Sequence, residues 1–222
     1  MTFTALDLNI TDEDRKAMYN EVMSVDDNYW HYNEFRGCKM LPVFNAEGQL
    51  GGQAEGKNTK HGEFSYTEPA QTWTFTQKLL KEKVFPWMEP VGRVTILRTP
   101  VGYGLNVHLD SKVDEIGTLQ HKFRIVLNGN VDKLYFIDKK HNKVYIPENY
   151  TTYVLDGSHP HALEPGTEEK VTLCIGAPWT GQPTEKYVDL INNSLYTMKV
   201  SRPDNLKENW TDPFWKMETV NV

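Results

Sequence analysis

From residue 91 to residue 179 the chain is written in short β-prone runs, each closed by a turn signal, and this texture limits the fold more than any other feature. The runs are "GRVTILRT", "YGLNVHLD", "KFRIVLNG", "KLYFID", "KVYIP", "TTYVLDG" and "KVTLCIGAPW". Seven strands at such close spacing predict an antiparallel β core of sandwich, barrel or jelly-roll type. Alternation then assigns faces. In "KVTLCIG", Val171, Leu173 and Ile175 share one face, and Lys170, Thr172 and Cys174 the other, which is small and polar like a cavity wall. In "HKFRIVL" the same rule separates Phe123, Ile125 and Leu127 from Lys122, Arg124 and Val126.

The flanks read differently. Thr11-Asp12-Glu13-Asp14 is an N-cap followed by acidic first-turn residues, so a helix is expected through about Met23 with Ala17, Met18 and Val22 toward a core. "YWHYNEFRGCKMLPVF" is aromatic and β-prone, and residues 45–63 form a polar, glycine-rich loop that could gate a site. "TWTFTQKLLKEKVFPW" places Phe75, Leu79, Leu80 and Val84 at helical spacing, with Pro86 as the stop. "TEKYVDLINNSLYTMK" reads as a last helix, and the tail "ENWTDPFWKM" has aromatics enough to pack back on the body.

A chain of 222 residues builds one substantial core, so a single domain 1–222 is expected. It comprises a helical and loop flank (1–90), the β core (91–179) and a C-terminal helix with aromatic tail (180–222). The net charge of −6 disfavours a dedicated phosphate-backbone binder, so nucleic acid is not the expected partner. Neither a secretion signal nor a long apolar run is present, and Cys38 and Cys174 form no C-x-x-C; a cytoplasmic protein without a membrane segment is expected.

Within the β core, His108-Leu109-Asp110 follows an apolar run. Such a tripeptide is weak alone: with 30 acidic residues among 222, roughly one of the seven histidines gains an acidic residue two places on by chance. His61-Gly62-Glu63 is a second instance, in a polar loop without a partner histidine. What separates them is a third donor. "DGSHPHALEPGTEEK" carries His159 and His161 between two strand-like runs, and in a rolled β-sandwich strands this distant in sequence lie side by side. His108, Asp110 and His161 would then form a set of two histidines and one carboxylate with open positions, matched to non-haem Fe(II) chemistry with O2. His159 competes with His161, which is preferred because the Asp-Gly-Ser phrase sets the ligand after Pro160.

Taken together, "GRVTILRTPVGYGLNVHLD", "HKFRIVLNG" and "YVLDGSHPHALEPGTEEKVTLCIG" resemble the double-stranded β-helix core of the Fe(II)/2-oxoglutarate-dependent dioxygenases. The similarity is greatest to the aspartyl/asparaginyl β-hydroxylase and proline-hydroxylase branch, and it covers roughly residues 91–179. It implies a mainly β jelly-roll (cupin-like) fold with flanking helices, and His108, Asp110 and His161 as iron ligands. It also implies Lys170 as partner of the distal carboxylate of the cosubstrate 2-oxoglutarate, and Arg124 as a contact to a cosubstrate or substrate carboxylate. The implied activity is hydroxylation of an unactivated C–H of an amino acid, a protein side chain or a small metabolite, with release of succinate and CO2. Two departures stand out: Lys170 stands where arginine is common, turning a bidentate clamp into a point-charge contact, and Glu164 stands where asparagine is expected. The rival readings are a cupin-like metalloenzyme without 2-oxoglutarate and a non-catalytic β-sandwich binding module whose metal site has decayed. Substrate and oligomeric state leave no readable pattern. Arg93 and Arg98 are expected at the solvated rim, Trp73, Trp87 and Tyr103 as core or mouth aromatics, Cys174 as an inner-face filler, His159 at the surface or mouth, and His31, His61, His121 and His141 at the surface.

Overall fold

The structure, a computed structural model, describes residues 1–34, 37–50, 63–88, 91–110, 121–131, 133–176 and 184–206. It is mainly β with flanking helices, as expected, and its core is a long hairpin rolled into two facing antiparallel sheets. The core strands are β5 (Val94–Thr99), β6 (Leu105–His108), β7 (His121–Asn128), β8 (Leu134–Ile137), β9 (Lys143–Tyr145), β10 (Thr152–Asp156), β11 (His161–Leu163) and β12 (Lys170–Gly176). They pair from the outside in: β5 with β12, β6 with β11, β7 with β10, β8 with β9. Rolling that hairpin sends β5, β12, β7 and β10 to one sheet and β6, β11, β8 and β9 to the other, the jelly-roll double-stranded β-helix. Seven of these eight strands coincide with the expected runs. β11 is the addition, a three-residue strand between a proline and a Glu-Pro pair, too short to show a period of two.

The larger sheet is widened at both edges. β1 (Phe3–Ala5) and β13 (Tyr196–Met198) extend it beyond β10, while β3 (Cys38–Ala46) and β2 (His31–Asn33) extend it beyond β5, and β4 (Phe64–Tyr66) pairs with β3. Its outer face is covered by helices. Val171, Leu173, Ile175, Phe123 and Ile125, all fully buried, pack there against Met18, Val22, Leu80 and Tyr187. Each such aliphatic contributes roughly 1.5–3 kcal/mol by leaving water. The inner face meets the smaller sheet through Phe3, Val126, Tyr153 and Leu155 packed on Leu134 and Phe136. The alternation expected for β7 and β12 therefore holds, with the apolar face toward the helices and the mixed face between the sheets.

Helix α1 (Asp12–Met23) begins in a capping box, Thr11 Oγ1 accepting from Asp14 N–H and Asp14 Oδ2 accepting from Thr11 N–H. Met18 and Val22 are buried as expected, whereas Ala17 is only half-buried. Helix α2 (Thr74–Leu79) has its first amides capped by the Glu21 carboxylate, at 2.9 Å to Phe75 N and 2.7 Å to Thr76 N. The helical path continues as a π turn (Leu80–Val84) and a 3-10 turn (Phe85–Trp87). Pro86 thus sits inside the last turn rather than before it, tolerated because the opening positions of a turn need no amide donor. Helix α3 (Glu185–Asn192) is shorter than expected: the chain leaves it at Asn192-Asn193-Ser194, weak helix formers, and Tyr196–Met198 joins β1 instead. The expected gating loop at 45–63 and the aromatic tail at 208–217 lie largely or wholly outside the described residues. Cys38 is buried and Cys174 partly buried. Among the described residues no helix is long and apolar enough to cross a membrane.

Candidate metal centre

The outside-in pairing brings together residues 53 positions apart. In the β6–β11 ladder His108 and His161 are direct cross-strand partners, with ring centroids 4.4 Å apart. Both are buried and both stand on the face of the smaller sheet that Phe136 shares, its ring 6.1 Å from that of His161. Asp110 lies just beyond the end of β6. Its N–H donates to Gly157 O at 2.8 Å, fastening it to the turn between β10 and β11. That turn is built from the Asp-Gly-Ser phrase, with Asp156 Oδ1 accepting from Ser158 N–H and from Ser158 Oγ–H.

The tautomers of both rings follow from their backbone partners. His108 Nδ1 lies 2.8 Å from Asn106 O, and His161 Nδ1 lies 2.8 Å from His159 O. A carbonyl can only accept, so each Nδ1 carries the proton and each Nε2 presents its lone pair. The two Nε2 atoms face Asp110, one 3.7 Å from Oδ1 and the other 3.7 Å from Oδ2. These separations are too long for hydrogen bonds. They suit ligands converging on one ion with bonds of about 2.0–2.2 Å. The Asp110 side chain is only 13% exposed, and a carboxylate withdrawn from water needs a compensating positive charge. The three side chains form a group able to hold a metal ion.

His159 does not join them. It was expected at the surface or mouth; instead it is 3% exposed, with Nε2 bonded to Ile137 O at 2.8 Å and its ring edge-on to Phe136. Burial pushes its pKa below the ordinary histidine value. The cause of the misplacement is positional: the turn at Asp156–Ser158 tucks residue 159 under β8, where Ile137 N–H also bonds to Pro160 O. His31 and His141 are exposed as expected, His61 lies outside the described residues, and the side chain of His121 is likewise not described.

The two cations stand on the inner face of the larger sheet. Arg124 is opposite Tyr153 on one side and Cys174 on the other. It is half-buried, and its Nη1 donates to Phe123 O at 3.0 Å. Lys170 is four residues along β12 from Cys174, at the far end of the strand, where it lines a polar cleft with Tyr103, Lys133, Leu163 and Glu168. Glycines shape that end: a Cβ on Gly104 would sit 2.4 Å from Leu163 O, and Gly129 adopts φ +89° against Lys170. Tyr153 stands on the inward face that alternation in "TTYVLDG" gives it and belongs to the interlayer core, and Tyr103 lines the cleft beside Lys170. Glu164 turns outward to Lys143 at 2.7 Å. Arg98 pairs with Glu169 at 2.8 Å and lies over Trp30, and Arg93 is half-buried near Asn45. Trp73 is core.

No protein-family model matches the chain, and no curated protein does. Among solved structures it is similar to a Pseudomonas putida prolyl-4-hydroxylase, with 14% identity, TM-score 0.49, and 79% of this chain and 92% of that one covered. A prolyl hydroxylase of Trichoplax adhaerens, solved with a hypoxia-inducible-factor oxygen-degradation-domain peptide, gives 14%, 0.48, 78% and 82%. An oxidoreductase of the 2OG-Fe(II) oxygenase family from Burkholderia pseudomallei gives 10%, 0.48, 76% and 80%. Likeness at this level bears on neither activity nor substrate, and the side-chain geometry must carry both.

Proposed function

We propose that the chain is an Fe(II)- and 2-oxoglutarate-dependent oxygenase hydroxylating an unactivated C–H of an amino acid, a protein side chain or a small metabolite. The observation that carries the reading is the convergence of two fixed-tautomer imidazoles and one nearly buried carboxylate on a common space between the sheets. His108, Asp110 and His161 would hold the ion, and a set of two histidines and one carboxylate leaves coordination positions for cosubstrate and O2. The bound ion with 2-oxoglutarate and O2 would supply oxidation of the C–H, with release of succinate and CO2.

The protein's own contribution is orientation and exclusion of water. The Nδ1–H bonds to Asn106 O and His159 O lock the rings, so no rotamer search opposes binding. Phe136 closes the apolar side. Lys170 would meet the distal carboxylate of 2-oxoglutarate as a point charge. With only two cysteines and no C-x-x-C or disulfide framework in the sequence, a reducing cytoplasm is the compartment proposed.

The test is an anaerobic titration with Fe(II) and 2-oxoglutarate, followed by succinate release over a panel of amino acids and peptides. A weak visible absorption band that requires both additions, and is absent in His108→Ala, is expected. Iron binding without any effect of 2-oxoglutarate would favour a cupin-like enzyme of another type. Identical behaviour of wild type and His108→Ala would leave a binding module with a decayed site.

A further inference from the structure

A buried polar atom without a hydrogen-bond partner asks for a ligand or a water, and among the described residues three side-chain atoms are in that state: Arg15 Nε, Thr76 Oγ1 and Arg202 Nη2. Two of them point to no ligand. Arg15 already pairs with Asp12 at 2.6 Å and donates from Nη1 to Val126 O at 3.1 Å. Thr76 is uncharged and fully buried, out of a ligand's reach. Arg202 is different: it is a partly buried cation, and the acids beside it along the chain trace are engaged elsewhere. Asp204 pairs with Lys139 at 2.8 Å, and the Asp156 carboxylate accepts from Ser158 N–H and Oγ–H.

The chain trace fixes where that cation stands. Thr2 O accepts from Asp156 N–H and Thr2 Oγ1 accepts from Val200 N–H at 2.9 Å, so residue 200 is tied to the end of β10. Leu206 packs on Tyr135, Ile137 and Ala162, at the outer face of the smaller sheet. Between those two points the chain crosses from one sheet to the other, beside the turn of residues 156–160, which makes the same crossing from β10 to β11. That turn holds Asp110 through Gly157 O and delivers His161. Arg202 lies within the crossing. Its charge is felt at His159, where burial first and Arg202 as a lesser cause disfavour the protonated ring.

We propose that Arg202 is an oxyanion-binding residue at the rim of the metal-binding end, taking a carboxylate or phosphate group of a molecule that also reaches the ion. A guanidinium nitrogen shut off from water without an acceptor loses a hydrogen bond, and the planar fork of arginine regains it best from the oxygens of one anion. The anion enters from solvent, since the residue as a whole is only partly buried. Neither Lys170 nor Arg124 takes part. The site itself does not depend on which metal is bound; that the anion belongs to a substrate rests on the oxygenase reading, and it marks that substrate as one whose acidic group is held at the rim rather than between the sheets.

The test uses full-length wild type, Arg202→Gln, Arg202→Lys and His161→Ala, with methylphosphonate as the probe observed by phosphorus NMR. In the metal-free proteins, wild type is expected to broaden the probe signal saturably. Arg202→Gln is expected to weaken that binding at least about tenfold, and Arg202→Lys, which keeps the charge without the fork, to retain part of it. In a second arm the proteins are loaded with Mn(II), unbound metal is removed, and the relaxation of the probe is measured. Faster relaxation with wild type, lost in Arg202→Gln, is expected; His161→Ala, holding no ion, should bind the probe without that enhancement. Metal-free wild type without saturable binding, or Arg202→Gln binding as wild type does, overturns the proposal. Enhancement undiminished in Arg202→Gln overturns it too, since the probe would then sit on the ion itself, and a bound probe that loaded wild type leaves unenhanced refutes its place beside the ion. A wild type that takes up no Mn(II) sinks the oxygenase reading instead, and the metal-free arm still decides on Arg202.

Discussion

His159 and His161 are two residues apart, of one chemical type and both buried, yet their hydrogen bonds give them different work. His161 gives its Nδ1 proton to a carbonyl and keeps Nε2 for Asp110, whereas His159 uses Nε2 on Ile137 O. Their alanine variants should separate accordingly. His161→Ala is expected to abolish metal uptake, with a metal-free stability cost of its own because the buried His159 carbonyl loses its Nδ1–H donor. His159→Ala is expected to retain one metal per chain but to unfold about 1–3 kcal/mol more easily, because the Ile137 carbonyl loses its buried donor. Metal analysis and urea unfolding on the same samples read both effects. Sequence order alone could favour residue 161 but could not reveal that residue 159 is structural, since that follows from the path of the turn beneath β8. Gly104 makes a second residue-scale case: a methyl group there would meet Leu163 O at 2.4 Å, so Gly104→Ala should force β6 and β11 apart. A loss of about 1–3 kcal/mol in unfolding free energy, accompanied by weaker metal binding, is the expected outcome.

Among the elements, α1 offers the clearest pH signature. The Lys83 ammonium, 2.9 Å away, and the capping amide of Thr11 hold the Asp14 carboxyl below the usual carboxylate range. A group depressed on folding stabilises above its unfolded pKa, and that contribution is lost as pH falls through the folded value. Asp14→Asn should therefore melt below wild type at pH 7, by the order of 1 kcal/mol typical of a cap, and should approach wild type when both are measured near pH 2. Elements long enough to express their period were legible beforehand: seven of eight core strands, the start of α1, and the two faces of β7 and β12. Three of the shortest strands were not. β1, β11 and β13 are held by partners supplied from elsewhere in the chain, Phe3 opposite Leu155 and Met198, for example, so no local pattern announces them. The same tertiary demand ended α3 early, because β1 offers Tyr196–Met198 a ladder that a weak helix cannot match.

The whole molecule explains why the candidate site could be suspected at all. Three donors split between residues 108–110 and residue 161 converge only if the core pairs outside in, and that pairing is a property of the rolled hairpin rather than of any one strand. The candidate donors and their order were readable; the ladder register that sets His108 against His161 was not. The same architecture predicts coupling between metal and stability, since the ion would bridge β6, β11 and the β10–β11 turn only in the folded chain. Saturating metal at a hundred times its dissociation constant should raise unfolding free energy by about 2.7 kcal/mol in wild type and by nothing in Asp110→Ala. The most direct measurement is equilibrium dialysis against Fe(II) under anaerobic, reducing conditions, with metal counted per chain in wild type, His108→Ala, Asp110→Ala and His161→Ala. One tightly held ion per wild-type chain and none in each variant is the expected result; an ion retained by the variants, or none held by wild type, would contradict the account.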